Sequence, residues 1–145
     1  MTMNEKKLMG IRIIVHRGTN QIGGCVTEYE CRGFHLFVDY GEQLPGYEHT
    51  EMEIEGLTKG DVSNSALLIT HYHGDHIGKV RELNSEIPVY MGKTGCEICQ
   101  EFELHMSHIP GEEGKRHRLM ADRVTEFKHF EPGHTFEVGP SRLCQ

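Results

Sequence analysis

Apolar residues in this chain fall in short runs separated by glycine-rich or charged stretches, a rhythm that predicts strands more readily than long helices. Ile11-Arg12-Ile13-Ile14-Val15 is short and β-branched and predicts a first strand. A glycine-rich loop follows, Arg17-Gly18-Thr19-Asn20-Gln21-Ile22-Gly23-Gly24. The runs 25–30 and 34–39, separated by Cys31-Arg32-Gly33, have the form of an antiparallel hairpin with a three-residue connection. Residues 42–62 are acidic with weak periodicity and read as a surface loop with room for one helical turn. Ala66-Leu67-Leu68-Ile69-Thr70 is continuously apolar up to its final Thr, the mark of a strand buried on both faces. A short helix is expected from His76 to about Asn84, and a strand at Pro88-Val89-Tyr90-Met91. A helix is expected from Thr94 to about Met106, with Thr94 as N-cap and Glu97 completing a capping box. Residues 109–123 read as charged and irregular, and 124–130 alternate at period two like a strand, before a last one at Thr135-Phe136-Glu137-Val138. There is no internal repeat. The class is α/β or α+β, built on a mixed sheet.

Length and composition narrow the picture. The 145 residues suffice for one domain with a core. No apolar run approaches the roughly 18 residues of a membrane span. The opening MTMNEKKLMG lacks the apolar stretch of a secretory signal, so a cytoplasmic location is expected, with no membrane partner. Five cysteines, an odd and scattered set (Cys25, Cys31, Cys96, Cys99, Cys144), fit reduced thiols better than a disulfide framework. A net charge of -7 argues against a broad basic surface for nucleic acid, though bound cations can reverse the field at a catalytic centre.

Eleven histidines are many for this length, and three of them cluster in His71-Tyr72-His73-Gly74-Asp75-His76, directly after the buried strand. A strand end is a rigid mount, and the loop beyond it can turn several side chains towards one point. Neutral imidazole suits zinc, copper, iron or nickel, and a carboxylate adds charge for harder ions. In extended backbone alternate residues share a side, so His71 and His73 can reach one ion. Once the chain turns at Gly74, Asp75 and His76 can face a neighbouring one. Two metals a few ångströms apart make physical sense here.

The segment resembles the HxHxDH motif of the metallo-β-lactamase superfamily. Phe37-Val38-Asp39-Tyr40-Gly41 is similar to the first motif of that superfamily, an Asp at a strand end followed by Gly. The glycine loop 17–24 and the segments His76-Ile77-Gly78 and 87–92 resemble the ribonuclease J-like, β-CASP-type branch. The likeness runs from about Ile11 to Gly139. It implies an α/β fold, the N-terminal half of an αββα sandwich, with a strand-rich mixed sheet and flanking helices. It implies that His71 and His73 bind one divalent ion and Asp75 and His76 a second, with zinc first and manganese as the alternative. Asp75 is the implied catalytic carboxylate, and Asp39 a supporting one that holds the metal loop. The implied reaction is hydrolysis of RNA or another phosphodiester by a metal-bound hydroxide.

Proteins of this kind complete both sites with a later His, a bridging Asp and a final His. The chain closes with Gly139-Pro140-Ser141-Arg142-Leu143-Cys144-Gln145, and His134 lies too early to match. Residues 1–145 are therefore expected to form the N-terminal part of the domain, in a truncated or frameshifted product that is inactive alone. Two other readings stand beside phosphodiester hydrolysis: a thioester, lactone or small-ester hydrolase, and a non-catalytic remnant that self-associates through exposed sheet surface.

Other features carry less. Cys96 and Cys99 with His105 and His108 suggest a zinc knuckle, but on a helix the six-residue step from Cys99 to His105 turns the histidine away, so buried thiols are expected. Gly92-Lys93-Thr94 lacks the preceding glycine of a nucleotide P-loop, because Ile87 stands there. Lys115-Arg116-His117-Arg118 reads as solvated surface, with an RNA-backbone contact as the alternative.

Overall fold

The computed structural model describes residues 10–144, and its frame is one mixed sheet of six strands in sequence order. The strands are β1 (Arg12–Arg17), β2 (Val26–Cys31), β3 (Phe34–Val38), β4 (Ser65–Leu68), β5 (Val89–Gly92) and β6 (Lys128–Phe130). The first three pair antiparallel, and β3 through β6 pair parallel. The helices are α1 (Gly74–Ile77), α2 (Lys93–Met106) and α3 (Glu112–Val124), and a separate hairpin joins β7 (Thr135–Val138) to β8 (Ser141–Cys144). This is the α/β class that the sequence predicts. The leader reading of residues 1–9, the side chain of Cys144 and Gln145 lie outside the described residues. Among the described residues no helix is long and apolar enough to cross a membrane.

Alternation along the strands sorts side chains to two sides. Phe37, Leu67, Ile69, Val89 and Met91 join one cluster with Cys96 and Cys99 of α2 and Met120 and Val124 of α3. Leu36 and Ala66 join Val138 in a second, smaller cluster, with Leu68, Tyr90 and Phe136 packed against it. Leu67 and Ile69 are wholly buried, each contributing about 1.5–3 kcal/mol by burial. The strand before the histidines is thus clamped on both faces, as its unbroken apolar run requires. At the sheet edge, Ile13 and Val15 of β1 and Ile11 just before it are exposed, with Tyr29 paired to Ile13 beside them.

Several local expectations are corrected. The hairpin connection is two residues, Arg32 and Gly33, both at positive φ (53° and 77°), which matches the right-handed twist of the strands. Residues 109–123 hold α3 rather than irregular chain; only Gly114, Met120, Ala121 and Val124 are buried on it, a stripe too sparse to stand out among its charges. Val124 closes that helix, so β6 is only three residues long. The acidic loop 42–62 has no regular helix, yet it sends Ile54, Leu57 and Val62 into the main core. The expected helix from His76 to Asn84 is two short pieces, α1 and a 3-10 turn Val80–Glu82. Thr94 lies inside α2, whose N-cap is Gly92.

Glu28 is a carboxylate buried in the sheet itself. Glu28 on β2 accepts from His16 Nε2 of β1 at 2.7 Å and from His35 Nδ1 of β3 at 2.5 Å, stapling three strands. Burial alone would raise the pKa of Glu28, but the hydrogen bonds from His35 and His16, and then their charge, outweigh it and hold the carboxyl below its ordinary value. A depressed folded-state pKa contributes stability that is fully present above the unfolded value of about 4.3 and is lost as pH falls through the folded value. Denaturant melts of Glu28→Gln should show about 1–3 kcal/mol less stability than wild type at pH 7. The difference should narrow as pH drops below about 4.3; a constant difference across that range would remove Glu28 from the acid response.

Candidate metal centre

The candidate residues sit where three loops meet beyond the parallel strand ends. β4 delivers Thr70 and His71, and β3 delivers Asp39, whose backbone nitrogen donates to Leu68 O at 2.9 Å. Asp39 stands at φ 61°, a left-handed conformation that Asp tolerates better than most residues. That turn aims its carboxylate across the strand ends. Oδ1 accepts from the Thr70 amide at 2.8 Å, and Oδ2 accepts from Thr70 Oγ1 at 2.8 Å and from His76 Nδ1 at 2.7 Å. Asp39 is buried, so these contacts occur largely out of water.

The consequence for the imidazoles is specific. With Nδ1 of His76 committed to Asp39, Nε2 is the nitrogen left for other chemistry, and it lies 3.4 Å from Asp75 Oδ2. Thr70 Oγ1 also lies 3.0 Å from His71 Nδ1, so Asp39 reaches that ring through the hydroxyl. The His71 ring centroid is 4.0 Å from that of His76 and 4.7 Å from that of His73. Burial first, then the neighbouring His76 and His73, lower the pKa of His71, which favours the neutral ring. The sequence-predicted residues His71, His73, Asp75 and His76 therefore stand in one group, with Asp39 beneath them.

The backbone of this segment is stitched on both sides. Carbonyls of Gly74, Asp75 and His76 accept from the amides of Glu42, Gly24 and Tyr40 at 2.8–3.0 Å. Gly41 has no room for a side chain, because a Cβ there would lie 2.0 Å from the Asp75 carbonyl. Arg17, itself buried, donates to the carbonyls of Gly24 (2.5 Å), Thr50 (3.1 Å) and Gly41 (3.1 Å). Thr70, Arg17, Gly23 and Gly41 are not among the site residues that the sequence predicts; the clustered glycines of the loop and the Gly that follows Asp39 are the visible signals.

Histidine nitrogens and a carboxylate are the donor set of a divalent-cation site, and a ligand imidazole held from behind by a carboxylate is the usual supporting arrangement. In chemistry the set fits such an ion. It is nevertheless incomplete: among the described residues no group of three or more His, Cys, Asp or Glu side chains is disposed to hold a metal by itself.

The other candidates separate from this centre. Cys96 and Cys99 are buried thiols whose pKa values burial pushes up to about 11 and about 12, while His105 and His108 are exposed. The two thiols thus face the core while the two imidazoles face solvent. In the basic cluster, Lys115 pairs with Glu112 at 2.7 Å and His117 with Glu103 at 2.6 Å. His134 lies in an exposed turn. Beside the histidines opens a cavity of about 560 Å³, lined by residues including His71, Tyr72, Lys93, Thr94 and Phe130.

No protein-family model matches the chain. It is 28% identical over 138 residues to ribonuclease J of Mycobacterium tuberculosis, covering 87% of this chain and 24% of that protein. It is 36% identical over 83 residues to a UPF0173 metal-dependent hydrolase of Bacillus pumilus, covering 50% of this chain and 34% of that one. It is 35% identical over 102 residues to a hydroxyacylglutathione hydrolase of Xanthomonas oryzae pv. oryzae, covering 69% of this chain and 34% of the relative. All three have the metallo-β-lactamase fold. A crystal structure of a protein of unknown function from Enterococcus faecalis V583 superposes with a TM-score of 0.67 at 20% identity, over 89% of this chain and 35% of that one. The chain thus spans about a quarter of the length of the ribonuclease J that it matches.

The hydrogen-bond arrangement makes a test that needs no metal. Long-range ¹⁵N correlation spectra of wild type should show His76 fixed as the Nδ1–H tautomer. Asp39→Gly, which keeps the left-handed backbone, should release it. An unchanged tautomer in that variant would mean that Asp39 does not orient the ring.

Proposed function

We propose, on this likeness to metallo-β-lactamase-fold hydrolases, that His71, His73, Asp75 and His76 hold divalent cations and form the first part of a hydrolytic centre. The observation that carries the reading is the Asp39 carboxylate, which secures His76 through Nδ1 and His71 through Thr70. A free surface turn rich in histidine has no reason to bury such a support. In the full assignment His71 and His73 serve one ion and Asp75 and His76 a second, zinc before manganese. A divalent ion there supplies Lewis acidity, lowering the pKa of water and taking up charge on substrate oxygens. The protein's own part is to keep the rings aimed, and to hold Asp75 where its carboxylate can orient a water and accept its proton.

The substrate we infer is a phosphodiester of RNA. Its support is the likeness to ribonuclease J, which extends over 87% of this chain. A second reading, thioester hydrolysis, is favoured by the 35% identity to a hydroxyacylglutathione hydrolase. Residues 1–145 then act as the N-terminal part of a metallo-β-lactamase-fold domain, with the remaining ligands and the cover for the exposed β1 face supplied from outside these residues. Without them a copy of the chain is open to self-association through Ile11, Ile13 and Val15.

Metal analysis tests the ligand assignment. Wild-type protein supplied with the complementing segment and dialysed against limiting zinc should retain it, and His73→Ala should weaken retention at least tenfold, with its melting temperature in the absence of metal near that of wild type. Unchanged zinc content in His73→Ala would defeat the assignment. Turnover of a model RNA against a thioester by the zinc- or manganese-loaded protein, supplied with the complementing segment, separates the two substrates.

A further inference from the structure

The glycine loop is packed against the reactive end of Asp75. A Cβ at Gly23 would lie 2.6 Å from Asp75 Oδ2 and 2.8 Å from Asp75 Cβ, closer than non-bonded carbon atoms approach. The next residue, Gly24, donates its amide to the Asp75 carbonyl at 2.8 Å. One residue of loop therefore touches the side chain of Asp75 and the following one grips its backbone. The loop is itself braced. Arg17 Nε binds Gly24 O, and Gln21 Nε2 donates to Gly23 O at 3.0 Å. Gln43, buried, reaches Gln21 Oε1 at 3.3 Å and Glu48 O at 2.9 Å. Arg17 also ties the 39–43 turn through Gly41 O, so one guanidinium fixes the loop on one side of Asp75 and the turn on the other. A guanidinium presents its donors in a rigid fork, which a lysine ammonium cannot reproduce.

We propose that the 18–24 loop, anchored by Arg17, is a mould that sets the position of the Asp75 carboxylate for cation binding, with Gly23 as its contact surface. The inference rests on the metal-site reading above and adds a positioning role to residues outside the histidine motif. Gly23 needs to be glycine for two separable reasons: its φ of 74° and the carboxylate against it. Gly33 provides the control, because its φ is 77° and nothing lies within 4 Å of a Cβ there. Both substitutions to Ala carry the backbone strain of a positive φ, but only one fills the mould.

The test is zinc affinity by competition with a chromophoric chelator, alongside thermal melts, for wild type, Gly23→Ala and Gly33→Ala, each supplied with the complementing segment. Both variants should lose stability, Gly23→Ala the more of the two because its Cβ also displaces the Asp75 side chain. Gly23→Ala should bind zinc at least tenfold more weakly than wild type, and its cobalt-substituted form should show an altered visible spectrum. Gly33→Ala should match wild type in both. Equal affinity in all three proteins would overturn the mould and leave the metal reading standing. No zinc binding by wild type would remove the reading and the mould together. Should Gly23→Ala fail to fold, Asp75→Glu decides without backbone strain. A mould fitted to the shorter side chain predicts a tenfold loss for that variant, and wild-type affinity would overturn it.

Discussion

The hydrogen bonds from Thr70 and His76 to the Asp39 carboxylate join the end of β3 to the end of β4 and to the first turn of α1. Those contacts link parts of the chain 31 and 37 residues apart, and they secure the rings of His76 directly and His71 through Thr70. Asp39 reaches that position only because its backbone turns left-handed immediately after the strand, and because the parallel pairing of β3 and β4 sets Val38 beside Leu68. Register fixes the carboxylate beside the histidine segment. A one-residue slip would turn the side chains at the strand end to the other face and scatter the group.

The rest of the fold serves that junction by rigidity. β4 is buried against helices on one side and the β7–β8 hairpin on the other, so its end does not sway. Around the loop after it, the glycine-rich segment and the 39–43 turn close in from two directions, and Arg17 ties them together from a buried position. Burial lowers the pKa of that guanidinium, against the attraction of groups such as Tyr40. The carbonyls that it binds offset the burial of its charge.

How much of this was legible in the sequence depends on how local the cause was. The histidine motif, the apolar strand before it and the hairpin pairing depend on near neighbours, and all three were readable. The helix α3 was not, because its buried stripe is only Gly114, Met120, Ala121 and Val124 amid charges, too few apolar positions to mark a helical face. The period-two reading of 124–130 mistook Val124 and Phe127, buried at the end of a helix and just past it, for strand positions. Thr70 and Arg17 were overlooked because their partners lie up to 31 and 33 residues away, and nothing in the local pattern distinguishes a threonine that relays to a histidine from one that ends a strand. The acidic loop concealed Ile54, Leu57 and Val62, whose burial is a tertiary matter.

Zinc X-ray absorption of the chain, loaded in the presence of the complementing segment, decides whether the histidine cluster is the binding site, since imidazole nitrogen and thiolate sulfur are told apart by distance and scattering. The account predicts a shell of nitrogen and oxygen at about 2.0–2.1 Å with the multiple scattering of imidazole, and no sulfur. A shell containing sulfur at about 2.3 Å, from cysteines, or a first shell without imidazole scattering, would contradict it.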